Sequence, residues 1–253
     1  MNNYYEQLNR ECKKIAVEAI KDNSILSDNM LKKEESEFLL SDWNAFLIAL
    51  ICDQSVKAEM AWRLPYLLSK RLGHFDLYRI AKEENVESLE RLIKEKPALH
   101  RYPRKMAEYI MFAIEKIGND YDSNAENIWK NDLNAEHVVT KLEEFKGISH
   151  KKAALGTLLL VRDFSVSINN LNCIDIAYDI HIRRIFLRMG LTDKDTLKDV
   201  TEVARQICKD FPGSLTLPFW VTGREYCRPS NPNCEECNFK DFCKKRTELG
   251  KDL

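Results

Sequence analysis

An all-α protein is what this chain predicts, on three observations. Glycine and proline are scarce, with eight and seven in 253 residues; charged residues make up 31%; and apolar residues recur over long stretches at three- and four-residue steps. The length allows a substantial core, in one large or two modest domains.

In chain order, Leu8, Cys12, Ile15, Ala16, Ala19 and Ile20 mark an N-terminal amphipathic helix expected to pack against a later element. A polar break over Asp22–Glu37 precedes a helix over Phe38–Ile51, apolar enough to be central to a core and followed directly by Asp53-Gln54-Ser55. Further helices are expected over Ala58–Arg71, Ser88–Lys94, Arg104–Lys116, Ala135–Phe145, Lys151–Val161, His181–Met189 and Leu197–Phe211. Breaks fall at Pro97, Pro103, Gly118, Gly147, Gly190 and Pro212-Gly213, where turn chemistry is expected. The longest uncharged apolar run, Trp43 to Cys52, is far short of the ~20 residues that span a bilayer. The N-terminus, with Glu6, Arg10, Glu11, Lys13 and Lys14, resembles no secretory signal, so a cytoplasmic protein free of membrane is expected.

Four of the eight cysteines, Cys227, Cys234, Cys237 and Cys243, form a C-x6-C-x2-C-x5-C string. Thiolates bind soft metals, and four this close in sequence can converge on one centre. Four-cysteine zinc sites usually offer two short knuckles, whereas this string has a single C-x2-C pair, which favours an iron–sulfur cluster. A disulfide staple needs an oxidising compartment and normally a small secreted chain. Cys12, Cys52, Cys173 and Cys208 are scattered among apolar or helical sequence and read as buried free thiols.

The segment Lys146-Gly147-Ile148-Ser149 joins two helical stretches. Gly147 can take a left-handed turn at no steric cost, and the backbone N–H groups opening the second helix are then free to receive a phosphate. The net charge of −1 argues against a dedicated non-specific nucleic-acid binder, so any such contact must be local.

Taken together, the hairpin Phe145-Lys146-Gly147-Ile148-Ser149-His150-Lys151-Lys152-Ala153, the segment Tyr178-Asp179-Ile180-His181-Ile182-Arg183-Arg184 and the terminal cysteines resemble the helix-hairpin-helix DNA glycosylases, specifically their endonuclease III branch. The approach to the cysteines, Phe219 to Cys227, is similar to that family's tryptophan-containing helix followed by glycine and arginine. The resemblance implies a two-domain, all-α base-excision enzyme: an N-terminal helix (1–24) packing with a cluster domain (171–253), and a helical domain (25–170) carrying the hairpin (136–161), with DNA between the two domains. The partner is duplex DNA containing a damaged or mismatched base, the protein is a monomer, and the cofactor is a 4Fe–4S cluster on Cys227, Cys234, Cys237 and Cys243.

Residue by residue, the resemblance makes Asp179 the essential carboxylate, Lys151 the Schiff-base lysine of members with AP lyase activity, and Gln54 the glutamine that enters the space left by a flipped base. A carboxylate stabilises the positive charge that builds on the sugar as the N-glycosidic bond breaks. A lysine amine, neutralised by a helix N-terminus and partial burial, can attack C1′. Asp179 also reads as a helix N-cap, and His181 as a packing or hydrogen-bonding residue. DNA contacts are expected from Gly147, Ser149, Lys151, Lys152 and Arg228, while Lys244-Lys245-Arg246 reads equally well as a solvated tail.

The chain departs from the family pattern at several points. Ser149 replaces a hairpin glycine, where a left-handed conformation would cost roughly 1–2 kcal/mol, so a distorted hairpin is expected. The interval from Lys151 to Asp179 is longer than in endonuclease III, which makes Asp175 a rival carboxylate and implies an altered pocket wall. Tyr178 and Ile180 replace smaller or hydroxylated residues at positions that bear on the lesion accepted. No acid lies within Ala45–Ala49, which disfavours adenine excision. Two other functions fit the same motifs: a non-catalytic DNA-damage binder of this fold, and a redox or interaction module built on the cysteine site.

Overall fold

The computed structural model describes residues 2–23 and 30–253. Among them lie twelve α-helices, four short 3-10 helices and no strand, so the all-α expectation holds. The domain boundary expected between residues 24 and 25 lies outside the described residues. The chain divides into two compact units, residues 23–167 and residues 1–22 with 168–253. No helix among the described residues is long and apolar enough to cross a membrane.

The first unit is built around α3 (Trp43–Cys52), in which every side chain from Ala45 to Cys52 is buried. A helix apolar on all sides has no solvent face, so neighbours must enclose it. They include α2 (Lys33–Ser41), α4 (Ala58–Leu72) and α7 (Pro103–Asp120), with α5 (Leu77–Glu83) and α6 (Val86–Lys94) packed on α7. The single helix expected over Phe38–Ile51 is two helices. Asp42 adopts extended backbone, and its carboxylate accepts from the N–H groups of Asn44 and Ala45, ending α2 and capping α3. Gly118 does not break the chain either, since α7 continues through it to Asp120.

The hairpin follows, as α8 (Ala135–Glu143) and α9 (His150–Arg162). The Leu50 side chain of α3 packs directly onto α9 at Gly156, where a Cβ would stand 2.5 Å from Leu50 Cδ2. Glycine is the residue that permits this approach.

In the second unit, Leu8, Cys12 and Ile15 of α1 (Asn2–Asn23) share a core with Ile182, Ile185, Phe186 and Met189 of α10 (Ile180–Met189). Val200 and Ala204 of α11 (Leu197–Ile207) and Phe219 of α12 (Thr216–Glu225) complete it. The stretch 168–178 of this unit is anchored by buried isoleucines: Ile174 O accepts from Gly213 N–H at 2.7 Å, and Ile168, Ile174 and Ile176 are buried. Cys12, Cys52 and Cys208 are buried as expected, whereas Cys173 is only partly covered, its short 3-10 turn (Leu171–Cys173) having no buried residue.

Two glycine substitutions should act in opposite directions. Gly156→Ala pushes a methyl into Leu50 and should cost about 1–3 kcal/mol, whereas Gly118→Ala, with open space around its Cβ, should stabilise by about 0.5–1 kcal/mol. Thermal unfolding of the two variants measures both signs.

Candidate functional site

In the hairpin, Gly147 takes φ +89°, and Ile148 N–H closes the turn on Phe145 O at 3.0 Å. A side chain at Gly147 would be strained by that φ and would collide with the Tyr109 ring, 2.5 Å from the Cβ position. The distortion expected at Ser149 does not occur. Ser149 has φ −91° and ψ 169°, ordinary extended backbone at the N-cap of α9, so no left-handed serine is needed. The opening N–H groups of any helix lack intrahelical acceptors, and here they follow directly on the turn.

The two lysines on the first turn of α9 differ sharply. Lys151 is exposed rather than partly buried as the resemblance implied. Lys152, expected to contact DNA, is turned inward: its ammonium donates to Ile51 O at 2.7 Å and to Gly147 O at 2.8 Å. Burial pushes its pKa down to about 8, against smaller upward effects of Cys52 and Asp53. The Lys152 ammonium is thus engaged by two backbone carbonyls rather than free at the surface. The signal was present in the sequence, because Lys152 stands four residues before Gly156 and shares its helix face.

Gln54 lies beside this hairpin, its Nε2 3.4 Å from the Cβ position of Gly147. The side chain is half-buried and donates to Ile51 O at 2.8 Å, so Ile51 O accepts from both Gln54 and Lys152. On the other side, Tyr102 N–H donates to His100 Nδ1 at 3.0 Å, which leaves His100 Nε2 as the protonated nitrogen facing Gln54 O, also at 3.0 Å. Burial lowers the His100 pKa, which favours this neutral form. Burial raises the pKa of Asp53 in the same turn, partly offset by Lys152 and by the Trp62 indole N–H at 3.3 Å. Sequence reasoning found Gln54 but not the His100 anchor, which is distant in the chain.

Asp179 sits in the other unit, at the N-cap of α10, where its Oδ1 accepts from Ile182 N–H at 2.9 Å. Its rival Asp175 forms a two-pronged ion pair with Arg205, at 2.8 and 2.9 Å, and is thereby occupied. Tyr178 is tied down as well: its hydroxyl lies 3.0 Å from both Asp195 O and Asp195 Oδ1, with the Arg183 guanidinium over its ring. His181 packs on Trp220 and lies 3.1 Å from Arg184 Nη2, as its expected packing role requires.

Cys227, Cys234, Cys237 and Cys243 line one cavity, together with Arg188, Tyr226 and Lys245. Among the described residues no set of three or more Cys, His, Asp or Glu side chains stands ready to hold a metal ion. Burial pushes the Cys237 thiol up to about 11 and raises that of Cys243, and the neighbouring cysteines add to both shifts. The loop is braced from below by two buried arginines that sequence reasoning missed. Arg184 donates to Cys227 O (2.7 Å) and Gly223 O (2.9 Å); Arg188 donates to Arg228 O (2.6 Å), Pro229 O (2.9 Å) and Leu249 O (2.8 Å). The spacing of 184 and 188, one turn apart on an apolar helix, is the signal that could have found them. Arg228 itself is exposed, its Nε on Glu225 O. Of the basic run, Lys245 pairs with Glu235 and Arg246 with Asp193.

The all-α fold, with its left-handed glycine turn between α8 and α9, is shared by solved structures that match nearly the whole chain. A thermostable thymine-DNA glycosylase matches with TM-score 0.66 at 14% identity, covering 98% of this chain and 99% of its own. A trapped endonuclease III–DNA covalent intermediate, an estranged-adenine complex, matches with TM-score 0.64 at 16% identity, covering 98% and 97%. In sequence, the chain is 26% identical over 209 residues to endonuclease III of Thermotoga maritima, covering 81% of this chain and 84% of the relative. The protein is thus endonuclease III-like in fold and in sequence, although no family model matches it.

The depressed Lys152 pKa has a consequence for stability. Between about pH 8 and the ordinary lysine value of 10.5, the unfolded chain binds a proton that the folded chain has released, so folding strengthens as pH rises through that window. Lys152→Met should remove this gain, on the order of 1–3 kcal/mol, in denaturant titrations compared with wild type at pH 8 and pH 10.5.

Proposed function

We propose that the protein is a base-excision-repair DNA glycosylase with associated AP lyase activity, acting on duplex DNA that carries a damaged or mismatched base. The observation that carries this reading is the first turn of α9, where an exposed lysine follows the left-handed hairpin directly, at the register where the family resemblance puts the nucleophile. Sequence similarity to an endonuclease III over most of both chains supports it.

The chemistry follows from the side chains. Lys151 in its free-base form attacks C1′; the C1′–N bond breaks, and the base leaves with that electron pair and is then protonated. The amine nitrogen loses its protons as the sugar ring opens to a Schiff base. Removal of a C2′ proton then expels the 3′ phosphate by β-elimination, and water hydrolyses the imine to free the lysine. Asp179 offsets the positive charge that develops on the sugar in the first step. As an N-cap its carboxylate is fixed by Ile182 N–H through Oδ1, and Oδ2 remains for this task. The hairpin amides of Gly147 and Ser149, with Arg228, supply phosphate contacts that position without reading sequence.

The donor set of the cysteine cavity fits a 4Fe–4S cluster. Burial and mutual repulsion keep Cys237 and Cys243 protonated, so a cationic centre is needed to ionise them. Lys245 N–H already points at Cys243 Sγ (3.2 Å) and Arg188 Nη1 at Cys227 Sγ (3.6 Å), the N–H···S contacts that stabilise ligating thiolates. The cluster's contribution is structural: held by the four cysteines, it would fix the loop that presents Arg228.

Two experiments test this reading. Borohydride should trap wild-type enzyme on lesion-bearing DNA, Lys151→Ala should abolish trapping, and Asp179→Asn should slow base release by about 10²–10⁴-fold with duplex affinity nearly unchanged. Base release by Lys151→Ala at the wild-type rate would make water the nucleophile and remove the lyase. Anaerobically purified protein should carry about four irons per chain and lose them, with its visible absorption, in Cys237→Ser; stoichiometric zinc without iron would overturn the cluster assignment.

A further inference from the structure

The inward-facing Lys152 stands between two elements that the proposed function uses separately. Its ammonium bonds Ile51 O, at the end of the helix that leads into Gln54, and Gly147 O, at the left-handed residue of the hairpin. Gln54 Nε2 bonds the same Ile51 O. A carbonyl oxygen has two lone pairs, and both donors can be accommodated. If the Gln54 side chain leaves to fill the gap of an extruded nucleotide, it surrenders that hydrogen bond. Without Lys152, Ile51 O would then be a buried acceptor with no partner, which is a costly state. With Lys152 in place the acceptor stays satisfied. The backbone of the turn is meanwhile pinned on its far side by His100, which donates to Gln54 O. The side chain can therefore move while the turn does not.

We propose that Lys152 is a positioning residue, clamping the turn that carries Gln54 to the hairpin and keeping Ile51 O satisfied when the Gln54 side chain swings out. The role differs from that of Lys151, its neighbour, which is exposed on the same helical turn. It also differs from a phosphate contact, because the ammonium is already engaged by protein carbonyls. The proposal rests on the glycosylase reading for the task of Gln54, but the clamp itself is a property of the free protein.

Amide hydrogen exchange on the free full-length protein tests the clamp directly. In Lys152→Met, exchange should accelerate about tenfold or more in both 52–56 and 146–150, with α10–α12 unchanged; Lys152→Arg, which retains a donor, should restore slow exchange. Unchanged protection in either segment overturns the clamp. Should the methionine variant not fold, Lys152→Leu, which also lacks a donor, is read the same way. Salt titration of binding to undamaged duplex should give the wild-type slope for Lys152→Met, and a slope shallower by about one would make Lys152 a phosphate ligand instead. Base release from duplexes with uracil opposite adenine and opposite guanine then tests the link to Gln54. Lys152→Met should lower release mainly from the better-paired uracil–adenine duplex, and adding it to Gln54→Ala should lower that release no further; additive losses would detach Lys152 from Gln54. A wild-type protein that releases no base from any lesion would sink the glycosylase reading while leaving the exchange result to decide the clamp.

Discussion

Two glycines, Gly156 seated against the Leu50 side chain and Gly147 against the Tyr109 ring, set how the hairpin sits in its unit. Gly156 removes the Cβ that Leu50 would meet, and Gly147 removes the one that Tyr109 would meet, so the second hairpin helix settles onto the buried central helix with its N-terminus beside the α3 C-terminus. The Gln54 turn lies within reach of the hairpin, and the partly buried Lys152 side chain turns its ammonium onto the carbonyls between them. An ammonium in such a place must find carbonyl acceptors, and it finds one on each element. Lys151, one residue earlier and rotated about the helix by roughly 100°, remains outside. The same packing thus leaves one of two adjacent lysines held by protein carbonyls and the other exposed.

A comparable division holds in the other unit. Arg184 and Arg188 are buried, and both spend most of their donors on carbonyls that regular secondary structure leaves unpaired. Arginine suits this role because its fork carries five donors in a fixed plane. The cysteine loop has little helix or core of its own, so these carbonyl contacts carry much of its shape. Phe239 is its one deeply buried apolar anchor, packed against Phe219 of α12.

Much of this architecture was legible from the sequence, and the places where it was not have physical causes. Helices with an apolar stripe were found, most within a residue or two, because period and burial agree, though α7 runs four residues beyond the expected Lys116 and α11 stops four short of the expected Phe211. The break at Asp42 was missed because apolar residues continue on both sides, although an aspartate ahead of Trp43-Asn44-Ala45 is a capping signal. α5 was missed because seven residues with two buried side chains carry too little period to register. At Ser149 the family pattern suggested strain, but the turn needs only one left-handed residue, and Gly147 provides it. The partners of Asp175, Tyr178 and Lys152 were not legible, because whether a polar side chain faces solvent or a partner depends on groups distant in sequence, here Arg205, Asp195 and the Ile51 carbonyl.

Fold and site geometry leave catalysis to be measured on DNA. The most direct measurement is release of free base, followed by mass spectrometry, when the purified protein is incubated with a panel of duplexes carrying different oxidised, deaminated and mismatched bases. A glycosylase releases one or a few of these bases with multiple turnovers and leaves undamaged duplex intact. Tight binding to lesion duplexes with no base released from any of them would contradict catalysis and make the protein a damage-binding relative of the same fold.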